Sequence, residues 1–238
     1  MTQTPDLPGG YTLAAFDTIG STNDEAKRRA GEGAAEGTVV WARSQLGGRG
    51  REDRTWVSPP GNLYCSVVLR PAAISAQIGF VAALAAAEAV GPDATLKWPN
   101  DVLLGGRKVA GLLLEAGAGW IVVGCGINLI SHPEGTPFPA TSVKAATGQT
   151  FSAEAALSAF CAALDRWYRR WEGEGFAEVR GAWLTRAHPP GTALTVRTPR
   201  LALAGTFDGL DADGVLLLKA LDGRLHRIAA GDVYFPCS

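Results

Sequence analysis

The sequence is poor in the residues that would signal a metal centre or an oxidising compartment. Its three histidines (His132, His188, His226) do not cluster with its four cysteines (Cys65, Cys125, Cys161, Cys237), and no two cysteines stand at CxxC spacing. This argues against a structural zinc site, and scattered thiols in a chain of this length point to a reducing cytosol. Neither sign of charge is in excess: 22 Lys and Arg against 23 Asp and Glu leave a formal net charge of −1. A globally basic surface for nucleic acid is therefore absent, although a local basic patch stays open. Long apolar runs are missing too. The two most apolar windows, Phe80–Val90 and Gly111–Ile130, are broken by Glu88 and by Glu115 with several glycines, so neither reads as a bilayer span. The N-terminal stretch MTQTPDLPGG has no basic n-region and no apolar h-region. These absences predict a cytoplasmic protein with no membrane partner.

Core material is plentiful. Apolar residues make up 47% of 238 and charged residues 19%, which excludes a disordered chain and suits one large domain or a medium one plus a small one. Residues 1–10, with Pro8, Gly9 and Gly10, read as a flexible end. A helix is predicted over Ser21–Ala30, with Thr22 and Glu25 as a capping box. Thr38–Ala42 is β-prone, Gln45–Gly61 reads as a long loop, and Leu63–Leu69 as a strand. An Ala-rich helix covers Ile78–Val90. Leu96–Leu104 and Val109–Glu115 read as two strands around Gly105-Gly106, followed by a strand at Trp120–Gly124. Apolar steps of three and four at Leu157, Phe160, Leu164, Trp167, Tyr168 and Trp171 predict a helix over 152–172, capped by Ser152 and ended by Gly173. A shorter helix covers Phe176–Thr185. Beyond Pro189 come short strands at Thr192–Arg197, Leu201–Phe207, Val215–Ala220, Leu225–Ala229 and Val233–Phe235, a pattern that predicts a small β-barrel over 189–238 after a mixed α/β region over 11–188.

Five segments carry chemistry. In Gly47–Trp56, three arginines alternate with glycines and end in a tryptophan. Glycine lets backbone N–H groups approach an anion, arginine grips phosphate or carboxylate with two parallel hydrogen bonds, and tryptophan offers a flat face. The same composition also suits a solvated basic loop. Lys97-Trp98-Pro99-Asn100-Asp101 joins an aromatic to an amide–carboxylate pair, which is also ordinary turn chemistry. Lys108 follows a glycine turn into an apolar strand, as an exposed flank or as a point charge aimed into a pocket. Gly124-Cys125-Gly126-Ile127-Asn128 permits close backbone approach, with Cys125 reading as a small core residue. Helix capping alone accounts for the hydroxyls of Gly20-Ser21-Thr22-Asn23.

In order and spacing, these segments resemble the catalytic domain of biotin protein ligases. The quoted motifs are GSTN, Gln45 through Tyr64, Lys97–Asp101, Arg107–Gly111 and Gly124–Asn128, and the resemblance spans residues 12–235. It implies an α+β fold, with a mixed sheet flanked by helices like that of class II synthetases, followed by an SH3-like β-barrel. It implies a cytoplasmic, ATP-dependent biotin–[biotin carboxyl-carrier protein] ligase that makes biotinyl-5′-AMP and passes biotin to a lysine of a carrier domain. Residue by residue, it implies that Ser21, Thr22, Asn23, Gln45, Arg49, Gly50, Arg51, Lys108 and Gly111 bind biotin. Arg54, Trp56, Asn100 and Asn128 would face the adenylate. Arg51, Lys108 and Asp101 would serve catalysis, with Asp101 near Mg²⁺. Biotin and ATP enter as substrates, and the partner is a biotin carboxyl carrier protein. The protein would be a monomer or weak homodimer.

There are two departures from the family pattern. Asp53, preceded by Glu52, stands where the family often has glycine, so the role of Arg54 is less secure than that of Arg51. The catalytic region also begins near the N-terminus, which leaves no room for a helix-turn-helix and predicts no DNA partner. Lipoate ligases and octanoyl transferases share the related fold but lack the paired KWPND and arginine-loop signatures. A nucleic-acid-binding module built on the Arg/Trp loop is disfavoured by the near-neutral charge.

Overall fold

The structure, a computed structural model, describes residues 4–198 and 202–235. Strand β1 (Thr12–Ile19), helix α1 (Thr22–Gly31) and strand β2 (Thr38–Gln45) form a βαβ unit in which β1 lies parallel to β2. The rest of the first sheet is antiparallel: β3 (Leu63–Leu69), β4 (Thr95–Lys97), β5 (Asp101–Leu104), β6 (Arg107–Gly117) and β7 (Trp120–Ile127). Its order is β1-β2-β3-β7-β6-β5-β4.

Side chains alternate across a strand, and here the alternation separates two cores. Val39, Trp41, Val67, Leu69 and Val123 face the main core, with α2 (Ile78–Val90) and α4 (Ala153–Glu174) packed together on that side. Helix α2 is apolar nearly all round, as a helix buried between a sheet and a second helix must be. Val40, Val68 and Val122 face the other way, under Ala26 and Ala30 of α1. Further along that second face, β3 carries Ser66, and β7 carries Gly124 and Gly126. The absence of bulk there leaves a hollow beside α1.

After the short helices α3 (Val143–Thr147) and α5 (Phe176–Arg186) come β8 (Ala193–Arg197), β9 (Ala202–Leu210), β10 (Leu216–Ala220), β11 (Leu225–Ile228) and β12 (Asp232–Tyr234). They form a small antiparallel sheet in the order β11-β10-β9-β8-β12. It docks on the first sheet through specific hydrogen bonds. Trp98 Nε1 donates to the Gly214 carbonyl (3.2 Å) and Lys97 Nζ donates to the Val233 carbonyl (3.2 Å). Gly214 sits at φ +86°, and a Cβ there would lie 2.7 Å from the Phe80 ring.

Several expectations need correction. Strand β1 was not expected, because Thr12–Ile19 holds Ala14-Ala15 and Asp17 in place of a β-branched run. Leu96–Leu104 is not one strand. It is the hairpin β4–β5, folded at Trp98–Asn100, with Lys97 opposite Asp101. Helix α1 is capped by Ser21, which accepts from the Asp24 N–H (3.4 Å), and not by Thr22. Helix α4 runs through Gly173 and ends at Gly175, whose φ of +83° breaks the helix. Helix α3 has no counterpart among the elements expected from the sequence. Within the expected flexible end, residues 4–10 are held: Asp6 N–H donates to Ser158 Oγ (2.8 Å) and Leu7 packs on the core. Leu201 and Cys237 lie outside the described residues.

Candidate active site

The hollow is a cavity of about 380 Å³, and every candidate residue named from the sequence lines it. Its floor explains two glycine motifs. A Cβ on Gly124 would overlap the Asn23 side chain, one on Gly126 would lie 2.5 Å from Trp56 Nε1, and one on Gly111 would lie 3.0 Å from Trp56 Cζ3. Residues 111, 124 and 126 are thus small because α1 and the arginine loop lie directly on the sheet there.

One end of the cavity is neutral and wired by hydrogen bonds. Thr22 donates from both its N–H (2.8 Å) and its hydroxyl (3.1 Å) to Gln45 Oε1. That fixes Gln45 Nε2 toward Ser58 Oγ (2.9 Å), which in turn donates to the Trp56 carbonyl (2.9 Å). Ser66 Oγ lies 2.6 Å from Asn23 Oδ1 and 2.9 Å from Thr22 Oγ1. Helix capping therefore does not account for Thr22 or Asn23; Ser21 alone serves the cap.

The other end is cationic. Asp101 is buried between Lys108 (2.6 Å to Oδ1) and Lys97 (2.8 Å to Oδ2), a triad with a net charge of +1. Burial pushes the Asp101 carboxyl up, but the two ammonium groups outweigh it and hold the carboxyl below its usual range. Burial pulls the Lys97 ammonium down against the attraction of Asp101. Phe138 covers Lys97, its ring centroid 3.8 Å from Nζ. Lys108 also lies over the Trp56 ring at 5.4 Å. Arg51 makes no ion pair among the described residues. It donates to Asn100 Oδ1 (3.3 Å) and the Gly231 carbonyl (3.5 Å), which aim it without neutralising it.

The arginine loop is not irregular throughout. It folds back on itself, with Arg49 bridging Thr55 and Trp56 N–H donating to the Gly48 carbonyl (2.8 Å), around a tight turn closed by Arg54 N–H on the Arg51 carbonyl (3.2 Å). Glu52 and Asp53 both sit at positive φ, +54° and +55°. Asp53 holds by strain the conformation that glycine adopts freely at that position.

Several of the expected residues have partners within the protein. Arg49 is engaged by Asp24 and, at 3.4 Å, by Glu115. Arg54 pairs with Asp232 of β12 at 3.0 Å. The Asn100 amide is spent on the Leu112 carbonyl (2.6 Å) and Arg51, and Asn128 Nδ2 donates to the Thr141 carbonyl (3.1 Å). Both amides are thereby fixed in the wall of the cavity. Asp101, the residue expected near Mg²⁺, carries one lysine ammonium on each carboxylate oxygen. Among the described residues no three His, Cys, Asp or Glu side chains stand together as a metal site. Lys97, Ser58, Ser66, Glu115 and Asp232 were not singled out. Lys97 and Ser58 lie in quoted motifs without a role of their own, and the others join the site only through the fold.

A sheet-backed cavity with a neutral amide end and a cationic end, closed by a Gly/Arg loop, defines a ligase-type catalytic domain. Residues 15–128 match the biotin/lipoate A/B protein ligase family, and residues 195–235 match the biotin protein ligase C-terminal domain. The biotin–[acetyl-CoA-carboxylase] ligase of Paracoccus denitrificans is 42% identical over 90% of this chain and 97% of its own length. The bifunctional ligase/repressor BirA of Bacillus subtilis is 32% identical over 94% of this chain and 74% of its own. The biotin protein ligase of Aquifex aeolicus, solved in complex with biotin and ATP, superposes with a TM-score of 0.83 at 27% identity, covering 94% of this chain and 97% of that one. The chain belongs to the biotin protein ligase family.

Proposed function

We propose that this cavity joins biotin to AMP and transfers biotin to a lysine of a carrier domain, with Arg51, Lys97 and Lys108 as the groups that make the first step possible. The observation that carries the reading is the cavity's polarity. A ligand with a neutral ureido head and an anionic tail matches a neutral amide network at Thr22, Asn23 and Gln45 opposite an uncompensated positive end. In the first step the carboxylate oxygen attacks the α-phosphorus and the bond to pyrophosphate breaks. Two anions must meet, and Lys108 and Arg51 offset their repulsion and the charge that builds on the phosphoryl oxygens. In the second step an acceptor amine attacks the acyl carbon, AMP leaves with the bonding electrons, and the amine gives up a proton. Asp101 holds Lys97 and Lys108 in place at the cationic end.

Among the described residues no helix is long and apolar enough to cross a membrane. The described cysteines 65, 125 and 161 are buried free thiols, which supports a reducing, cytoplasmic setting.

The test is biotin-dependent pyrophosphate exchange, followed by biotin transfer to a carboxyl carrier domain, with lipoate as the competing substrate. Lys108→Ala is expected to lose both reactions, and Lys108→Arg to restore them only in part, because a planar fork does not replace a point charge. Exchange driven by lipoate and not by biotin, or near-normal exchange by Lys108→Ala, rejects the reading.

A further inference from the structure

Glu115 lies on β6, on the face of the sheet that also carries Gly111 and looks toward α1. A carboxylate in this strand needs partners, and three converge on it. Lys27 Nζ reaches Oε1 at 2.6 Å, while Asn23 Nδ2 reaches Oε2 at 2.9 Å and Arg49 reaches Oε2 at 3.4 Å. Partial burial raises the carboxyl pKa, but the hydrogen bonds from Lys27 and Asn23 and the charges of Arg49 and Lys27 bring it below the usual range.

These contacts settle a question of direction. An ionised carboxylate only accepts hydrogen bonds, so the Asn23 NH₂ must point at Glu115. Asn23 Oδ1 then faces Ser66 Oγ, its donor at 2.6 Å, in the lining of the cavity. At the far end of the same network the Thr22 N–H, a donor only, fixes Gln45 in the same way. Glu115 orients Asn23 and Ser66 at one end of this lining, and the Thr22 N–H orients Gln45 at the other. Glu115 also shares Arg49 with Asp24, so the residue that orients the α1 amide holds the first arginine of the loop as well.

We propose that Glu115 is a positioning residue for biotin: it fixes the Asn23 amide in one orientation and anchors Arg49 over the same end of the cavity. The proposal rests on the biotin reading above. Two substitutions separate its parts. Glu115→Gln keeps an acceptor for Asn23 but drops one of the two carboxylates that hold Arg49, leaving Asp24. Glu115→Ala removes the acceptor as well.

Steady-state biotin-dependent pyrophosphate exchange and trypsin cleavage of the ligand-free arginine loop test the assignment. Glu115→Ala is expected to raise the KM for biotin roughly tenfold or more, with kcat within about twofold, because the lost contacts bind substrate and do not act on the transferring phosphoryl group. Glu115→Gln is expected to raise the KM less, yet to speed cleavage at Arg49 as much as Glu115→Ala does. A KM unchanged in both variants overturns the proposal. So does a fall in Tm with no split between KM and kcat, the mark of a purely structural tie between α1 and the sheet. A wild-type chain that gives no biotin-dependent exchange overturns the functional reading and this role with it. Wild-type exchange with indifferent variants overturns this role alone.

Discussion

Gly126 and Trp56 share one space: the position a Cβ would take on Gly126 is 2.5 Å from the indole nitrogen. The Trp56 ring also lies against Gly111 and beneath Lys108, so the loop's aromatic residue is seated by the two glycines of the sheet. Gly126→Ala should push the ring off its seat by about 1 Å. A displacement of that size near reacting groups costs on the order of 10²-fold in kcat/KM. The overpacking itself costs about 1–3 kcal/mol, so Tm should fall but folding should survive. Pyrophosphate-exchange kinetics beside a thermal melt check this, and a folded variant with wild-type kcat/KM rules it out.

The Lys97–Asp101–Lys108 triad makes a stability prediction with a definite sign. The folded-state pKa of Asp101 is depressed, so the group stabilises the fold above its unfolded value of about 3.9 and loses that contribution as pH falls through the lower folded value. Asp101→Asn removes the charge and leaves Lys97 buried without a counter-ion, at a cost of about 3–5 kcal/mol near neutrality. The Tm gap between wild type and Asp101→Asn should therefore be wide at pH 7 and close below about pH 4. A gap that stays constant from pH 7 to pH 3 contradicts this account.

Much of this site was legible in the sequence, and the illegible part has a physical cause. GxGxN, RKxAG and the arginine loop announce close backbone approach and anions through residue type alone, and all three line the cavity. What they touch depends on the fold. Asp101 reads as a free carboxylate because its partner Lys97 is four residues away in an apparent strand. Only the turn at Trp98–Asn100 brings the two face to face. Ser66 looks like any small residue in a strand, and Asp232 like any turn residue beyond Gly231. Glu115 had a signal that was not used: it falls in step with Gly111 on the period of two. Strand β1 was missed for the opposite reason. It forms because β2 offers a parallel edge and α1 covers it, and its own residues ask for little.

Arg54 and Asp232 join the loop to the second sheet at 3.0 Å, with side chains 51% and 25% exposed. An ion pair that open to solvent contributes about 0.2–1 kcal/mol, so its stability coupling in a double-mutant cycle should stay in that range. Its effect on the site should be clearer, because Gly231 beside it also aims Arg51. Arg54→Ala and Asp232→Ala should each raise the KM for ATP, and the double variant should resemble the worse single one. Fully additive effects on that KM would show that the two residues act separately.

The loop itself carries avoidable strain at Asp53, and this can be tuned. A non-glycine residue at φ +55° costs about 1–2 kcal/mol, with Asp toward the low end because its short polar side chain tolerates the region. Asp53→Gly removes that cost but adds backbone freedom to the open loop, worth about 0.5–1 kcal/mol in the other direction. The two nearly cancel, so electrostatics decides the sign. Asp53 makes no ion pair among the described residues, and it stands in the chain between Glu52 and Arg54, on the loop that carries Arg51. Removing it strengthens the local positive field. Asp53→Gly should leave Tm and ligand-free trypsin cleavage of the loop nearly unchanged, yet lower the KM for ATP by roughly two- to fivefold at low ionic strength, fading as salt screens the site. A KM that does not move at low salt, or one that falls equally at high salt, would show that backbone strain and not charge governs this position.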